Sequence, residues 1–274
     1  MKFFYPYLLF FCLSIASLAQ EAYIATFNVL KLGESPKDFE TIATTMNHFD
    51  LVGLEEVITP EGLERLVKSL NKYTNYTWDY HISPFPVGTR KYKEYYAYVW
   101  KKDKVKFLAS EGFYPDKEKL FIREPYGASF QIGNFDFTLV LQHAVYGKSE
   151  TERRAEAFHL IKVYRYFQDR DRKENDILIG GDFNLSAFDE AFSPLYEDKD
   201  QIIYGIDPNI KTTIGMKKMA NSYDNIFLSK IYTQEFTGKS GAVDFTNRDY
   251  KVMRNKVSDH LPVFIIVNVD RDDD

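Results

Sequence analysis

Cysteine is almost absent: the only one in 274 residues is Cys12, inside an N-terminal apolar leader. With the leader removed no disulfide can form, so stability has to come from a packed core, helped by bound metal. Linkers rich in Pro, Gly or Ser are missing, as are internal repeats and low-complexity tracts, so nothing in the composition divides the chain. Positive charge is also short, with 35 Lys and Arg against 40 Asp and Glu and a formal charge of -5. Such a field opposes a polyanion, which would have to be met by local cations or metal ions. Tight nucleic-acid binding is disfavoured on this ground; a hydrolase that turns over quickly is not excluded.

The leader reads as a secretory signal peptide over residues 1–19. Met1-Lys2 gives a basic start, Phe3 to Leu18 an apolar middle, and Ser17-Leu18-Ala19 puts small residues two apart at the end. The run is too short and wrongly flanked for a stable membrane anchor. Leu9-Phe10-Phe11 ahead of Cys12 argues against lipid attachment, for which small residues are expected there. Cleavage after Ala19 is expected to leave a secreted or periplasmic chain, 20–274, of formal charge -6 without Lys2. At 45% hydrophobic and 16% aromatic this chain can bury one large core, and a single monomeric domain is expected. The acidic end, Asp270 to Asp274, reads as solvated.

What is present centres on Asp176-Ile177-Leu178-Ile179-Gly180-Gly181-Asp182-Phe183-Asn184. An apolar, β-branched run of strand length gives way to two glycines that open backbone conformations closed to other residues. Asp182 and Asn184, two apart past the strand, point to one side and offer oxygen acceptors that suit a hard cation and a bound water. Taken alone this is also the pattern of a strand followed by an Asx turn.

Other strands end the same way. Tyr23 to Asn28 is an apolar strand ending in Asn; Phe39, Ile42, Ala43, Met46 and Phe49 then recur at helical spacing behind Pro36. Leu51 to Val57 follows, and period two allows only one of Glu55 and Glu56 to face a site without saying which. Tyr95 to Trp100 and Val105 to Leu108 read as a hairpin with Lys101-Lys102-Asp103-Lys104 at its turn. Phe135 to His143 is a strand ending in His, and Glu150 to Gln168 a helix with Ala157, Leu160, Ile161, Tyr164 and Gln168 along one stripe. Residues 185–221 are the least readable. Tyr223 to Leu228 and Leu261 to Val267 are strands, the second entered through Ser258-Asp259-His260. His48, His81 and His159 lie in helix or loop settings and read as ordinary. Histidines, carboxylates and amides gathered at strand ends favour a phosphoryl-transfer or hydrolytic site.

Thr26-Phe27-Asn28, Leu54-Glu55-Glu56-Val57, Gly181-Asp182-Phe183-Asn184, Tyr223-Asp224 and Ser258-Asp259-His260-Leu261-Pro262-Val263, in this order, resemble the endonuclease/exonuclease/phosphatase superfamily. Tyr92-Lys93-Glu94-Tyr95-Tyr96 and Arg123-Glu124-Pro125 are similar to the secreted deoxyribonuclease I group within it. The resemblance implies an α/β fold: a four-layered sandwich of two mixed β-sheets packed face to face and flanked by helices, with the active site at one edge. It implies Glu56 as ligand of a divalent cation, Mg²⁺ first and Mn²⁺ or Ca²⁺ next, helped by Asn28 and Asp259. Asp182 and Asn184 would position the attacking water or a second ion. His143 and His260 would flank the scissile phosphate, oriented by Glu94 and Asp224 respectively.

Two features depart from that group: Ile58 stands where its members place a minor-groove arginine, and their disulfides near the site are missing. Loss of the arginine weakens the case for duplex DNA. Arg123, set before a proline in extended chain, is expected to aim its guanidinium outward at a backbone phosphate, with Tyr92 as a further substrate contact. Arg90, Lys91 and Lys93 are additional cations, or simply a solvated loop. The expected function is a metal-dependent endonuclease acting on DNA and on RNA as a further substrate. The alternatives are a phospholipid head group or small phosphate ester as substrate, and a binding protein with a dead site. Exposed aromatics near the site, with Phe85, Tyr92, Tyr95 and Tyr96 as candidates, would favour the lipid.

Overall fold

A computed structural model describes residues 20–170 and 175–272 of the chain. The signal peptide read over 1–19, with Cys12, lies outside the described residues. In chain order the elements are β1 (Glu21–Leu32), α1 (Phe39–Met46), β2 (Leu51–Val57), α2 (Pro60–Tyr73), β3 (Trp78–Ile82), β4 (Val87–Gly88), β5 (Lys93–Lys101) and β6 (Val105–Phe113). Then come β7 (Tyr126–Ile132), β8 (Phe135–His143), α3 (Glu150–Gln168), β9 (Ile177–Asp182), a 3-10 turn (Glu190–Phe192) and α4 (Ser193–Tyr196). The chain closes with β10 (Ile202–Tyr204), β11 (Asp224–Ser229), β12 (Phe236–Ala242), α5 (Tyr250–Lys256) and β13 (Val263–Asn268).

The strands make two mixed sheets. One has the order β12-β13-β1-β2-β5-β3, with β4 added on β5; the other has the order β10-β11-β9-β8-β7-β6. Each sheet holds one parallel pair at its centre, β1 with β2 and β8 with β9, and each pair is joined through a helix, α1 or α3. The inward faces meet in a core that includes Ile24, Tyr98, Trp100, Phe130, Leu139, Leu178, Leu228 and Ile265. The outer face of the first sheet packs under α1 and α2 through Phe27, Val52, Leu54, Leu66 and Leu70. The outer face of the second packs under α3 and α4 through Val140, Leu160, Val163, Phe167 and Leu195. These are the four layers that the resemblance implies, each apolar face covered by the next.

Local signals explain most boundaries. Asp38, not Pro36, caps α1 by accepting from the Thr41 N–H at 3.1 Å, while Thr59 caps α2 with Pro60 at its first turn. Helix α3 runs over the residues its stripe predicts. The hairpin expectation fails: β5 and β6 lie in different sheets. Both edges of β5 are already filled, by β2 and by β3, so the chain leaves at Lys102–Lys104 and crosses to the other layer. Trp100 and Phe107 then stack across the gap at 5.7 Å.

The two sheets come closest where side chains are missing. A Cβ on Gly53 would fall 2.4 Å from Leu141, and one on Gly180 would fall 2.7 Å from Thr26. Gly181 has φ +139°, and a Cβ there would fall 2.2 Å from the Gln142 carbonyl and 2.8 Å from Glu55. Gly181→Ala is therefore expected to destabilise by at least about 1–3 kcal/mol from the backbone conformation alone. Chemical denaturation of the variant checks this, and an unchanged midpoint would rule out the strain.

Candidate active site

The inward rows that are apolar along the middle of the sandwich turn polar at one edge. On β1 the row runs Ile24, Thr26, Asn28; on β8 it runs Leu139, Leu141, His143; on β9, Leu178, Gly180, Asp182. Antiparallel strands reach the same edge with their N-terminal ends, so β5 reads Tyr98, Tyr96, Glu94 and β11 reads Leu228, Ile226, Asp224. Across the second sheet His143, Asp182 and Asp224 share one hydrogen-bonded row. Period two and sheet register alone thus assemble most of the site.

Two buried imidazole–carboxylate pairs face each other there. His143 Nδ1 lies 2.7 Å from Glu94 Oε1, and His260 Nδ1 lies 2.9 Å from Asp224 Oδ2. With Nδ1 held by a carboxylate, each ring turns Nε2 inward, and the Nε2 atoms lie 3.6 Å and 3.4 Å from the same oxygen, Asp182 Oδ2. Asp182 Oδ1 in turn accepts the Asn184 N–H at 2.9 Å, in a turn where Asn184 takes φ 51°. The Asn184 Nδ2 donates to the Ala144 carbonyl at 2.9 Å, which orients that amide.

Neighbouring carboxylates shift both histidines toward the protonated form. Burial works to lower the His143 imidazole, but Glu94 and Asp182 outweigh it and raise it above its ordinary range. Burial likewise opposes His260⁺, yet Asp224 and Asp182 raise it well above. Burial pushes Glu94 upward, and His143 with Arg123 overcomes this and holds the carboxyl low. Asp224 is raised, burial being the larger influence against the His260 contact.

The first sheet contributes the other wall. Glu56 takes φ 59° at a register shift in β2, so it leaves the strand's alternation and turns into the cavity. Glu55 keeps the alternation and is wholly buried beneath, its carboxyl raised well above normal by burial and then by Asp224 and Asp182. The question that the pattern left open thus has a local answer: one glutamate faces the cavity and the other is buried in the interior. Glu56 accepts from Asn28 Nδ2 at 3.1 Å, from the Lys31 N–H at 3.1 Å and from Tyr92 Oη at 2.9 Å. Asn28 Nδ2 also donates to Asp182 at 3.2 Å, and its Oδ1 accepts the Leu30 N–H at 3.0 Å. Asp259 sits at the rim with Arg254 Nη2 3.1 Å away. Lys37, lowered to about 8 by burial against the pull of Glu56 and Asp259, neighbours the same two carboxylates.

Glu56, His143, Asp182, Asn184, Asp259 and His260 line a cavity of about 350 Å³ with Thr213, Ile214, Asn221, Tyr223 and Tyr146. The donor set around Glu56 and Asp259 is all oxygen, with one Asn28 Oδ1 lone pair to spare, and it fits a hard divalent cation. Asp182, Asp224 and His260 also bring ligand atoms within 4.8 Å of one another. There Asp224 is already engaged by His260 Nδ1, so this trio suits proton handling better than an ion.

Of the two residues expected to touch substrate, Arg123 is turned inward and Tyr92 is bonded to Glu56. Arg123 does not project outward: its side chain is 12% exposed, its Nε lies 3.1 Å from Glu94 Oε2, and Nη1 donates to the His143 carbonyl at 3.2 Å. Tyr92 is half-buried against Glu56, its hydroxyl raised by burial and then by Glu56 and Glu94. Glu156, unforeseen, accepts the Ile122 and Val145 N–H groups at 2.8 Å each and so ties the Arg123 loop to the segment after His143. Its signal was an acid on the buried stripe of α3. Arg254, also unforeseen, links Asp259 to the Ile214 carbonyl in the loop that forms one wall.

Residues 25–260 match the Endonuclease/Exonuclease/phosphatase family. A deoxyribonuclease of Thioalkalivibrio sp. is 27% identical over 272 residues, covering 94% of this chain and 74% of that relative. Deoxyribonuclease-1 of Equus caballus is 27% identical over 275 residues, covering 92% and 95%. Among solved structures, D. rerio TDP2 complexed with single strand DNA product superposes with TM-score 0.64 at 17% identity, covering 90% of this chain and 99% of that one. A mannosyl-6-phosphatase of Bacteroides thetaiotaomicron superposes with TM-score 0.58 at 15% identity, with the same coverage.

Because Arg123 backs Glu94, Arg123→Ala is expected to lower kcat about 10- to 100-fold on a polymer and on a small chromogenic phosphodiester alike. A loss confined to the polymer would instead put Arg123 on a flanking phosphate. The raised histidines also bear on stability. Folding binds their protons more tightly, so this stabilisation is complete below the unfolded value of about 6.5 and is lost as pH rises through the folded values. Denaturation in chelator between pH 6 and 9 should show a steeper decline for the wild type than for His260→Gln.

Proposed function

Since the chain belongs to the Endonuclease/Exonuclease/phosphatase family, we propose that it is an exported, divalent-metal-dependent endonuclease that hydrolyses phosphodiester bonds in DNA. The observation that carries this reading is the pair of carboxylate-backed imidazoles aimed from two sheets at Asp182, with Glu56 and Asp259 on the facing wall. A phosphodiester needs its non-bridging oxygens neutralised, a water deprotonated and the leaving oxygen protonated. The two Nε2 positions divide the proton work, and Asp182 with Asn184 holds the water between them. Glu94 and Asp224 keep the rings oriented and stabilise each imidazolium as it forms. Glu56, Asp259 and Asn28 would hold the cation, which supplies charge neutralisation at the phosphate when bound.

The deoxyribonucleases among the relatives and the DNA-bound TDP2 favour nucleic acid. Of the aromatic candidates for a lipid-facing loop, the two that reach the site are not free to face a lipid. Tyr96 is buried with its hydroxyl accepting the His143 N–H at 3.0 Å, Tyr92 is held by Glu56, and Phe85 stacks on Phe113 at 4.6 Å. Export rests on the leader read over residues 1–19.

Purified protein should nick plasmid DNA with Mg²⁺ and stop in excess chelator, and sphingomyelin or a sugar phosphate should be turned over far more slowly. Faster hydrolysis of either of those would overturn the DNA assignment within the family. His143→Ala and His260→Ala are each expected to lower the rate by about two to four orders of magnitude in protein that is still folded, with a lowered melting temperature because Glu94 or Asp224 loses its buried partner. Near-normal rates in either variant would remove that histidine from the chemistry.

A further inference from the structure

Beside the catalytic cavity lies a second groove of about 360 Å³ that shares Asn184 and Tyr223 with it, and it also contains Arg153, Ser186 and Phe188. Phe188 is a large apolar side chain left 60% exposed, its ring meeting Tyr204 at 6.0 Å and 83°. Arg153 is held at the groove's other side. Its Nη1 donates to the Tyr146 carbonyl at 2.9 Å, the Tyr146 ring covers the guanidinium at 5.0 Å, and its buried Nε has no hydrogen-bond acceptor.

The groove's acids are already answered by a different arginine. Arg154 pairs with Asp189 at 2.9 Å and with Glu150 at 3.1 Å, whereas Arg153 keeps only a loose 3.9 Å approach to Glu150. That leaves Arg153 as a cation of the groove with its nearest carboxylate 3.9 Å away, in a groove that also holds an open aromatic ring. An exposed ring beside a phosphoesterase site asks for a flat partner, and the Arg153 side chain lines the same groove.

We propose that this groove is a nucleobase subsite, in which Phe188 stacks on one unstacked base adjoining the scissile phosphate and Arg153 meets that nucleotide's polar edge or phosphate. The inference rests on the nuclease reading and adds to it a preference for single-stranded over duplex nucleic acid. In a duplex both faces of each base are covered by neighbours, and exposing one requires unstacking; in a single strand the face is free. Phe188 lies outside the catalytic cavity and touches none of the groups that act on protons.

The test uses the full chain with three substrates: a single-stranded oligothymidylate, a hairpin duplex of equal length and bis(p-nitrophenyl) phosphate. Phe188→Ala should raise KM for the oligothymidylate about 10- to 100-fold. It should leave hydrolysis of bis(p-nitrophenyl) phosphate, which has no neighbouring base, unchanged. Phe188→Trp should restore the low KM and Phe188→Leu should not, because stacking needs a ring. An unaltered KM, rescue by Leu, or an equal loss on bis(p-nitrophenyl) phosphate would overturn the subsite. Binding of oligothymidylate in chelator separates this from the parent reading. If the wild type binds it through Phe188 but cleaves no nucleic acid, the nuclease reading fails and the subsite stands. If it cleaves without any dependence on Phe188, the reverse holds, and if it binds no oligothymidylate the subsite is gone.

Discussion

The site exists because two sheets approach closely enough for side chains to bond across them at one edge. Gly53, Gly180 and Gly181 occupy the positions where a Cβ would hold the layers apart. Each histidine pair consequently spans the gap: His143 belongs to the second sheet and Glu94 to the first, while His260 leads into the first and Asp224 opens a strand of the second. Asn28 bridges in the same way to Asp182. Separation of the layers by the width of one methyl group would lengthen all these contacts together, and hydrogen bonds weaken steeply beyond about 3.2 Å. Packing at the glycines and chemistry at the edge are therefore one constraint.

The same closeness sets the electrostatics. Buried carboxylates are tolerated when an opposite charge or donors answer them. Glu94 has His143 and Arg123, Asp224 has His260, and Asp182 receives Asn28, Asn184 and both Nε2 atoms. Glu55 has no hydrogen-bond partner among the described residues, and burial raises its carboxyl well above the ordinary range, toward the neutral form. That shift lessens its repulsion with the neighbouring carboxylates. Glu56 and Asp259 are the acids left nearest solvent, where an added cation gains most.

Much of this was legible because a strand's period of two is robust. The rows Leu139-Leu141-His143 and Leu178-Gly180-Asp182 carry apolar and catalytic positions on one face, so a buried strand with a polar last residue already names its site. Helix α3 was readable from its stripe. Pairing partners were not: nothing in Tyr95 to Leu108 says that the edges of β5 are taken by strands distant in sequence, and local propensity favoured a hairpin. Helix α2 carried an unread signal in Thr59-Pro60 ahead of Leu63, Leu66, Val67 and Leu70. Arg123 was misjudged because its direction depends on Glu94, which arrives from another strand. Glu56 escaped the alternation through a single left-handed residue that no pattern encodes.

An acidic chain that places Arg123 behind a catalytic carboxylate and carries Ile58 on the loop after Glu56 has little with which to hold a duplex backbone. Of the nearby cations, Lys37 donates to the Val257 carbonyl, and Arg254 is engaged by Asp259 and the Ile214 carbonyl. On the proposed nuclease reading, ground-state attraction to a polyanion is then weak, and the contacts that remain are those at the reacting phosphate. That distribution favours rate over affinity, because interactions stronger in the transition state than in the bound substrate raise turnover without slowing product release. It also fits a protein of negative net charge: long-range steering toward nucleic acid is absent, and selectivity has to arise from contacts at and beside the reacting phosphate.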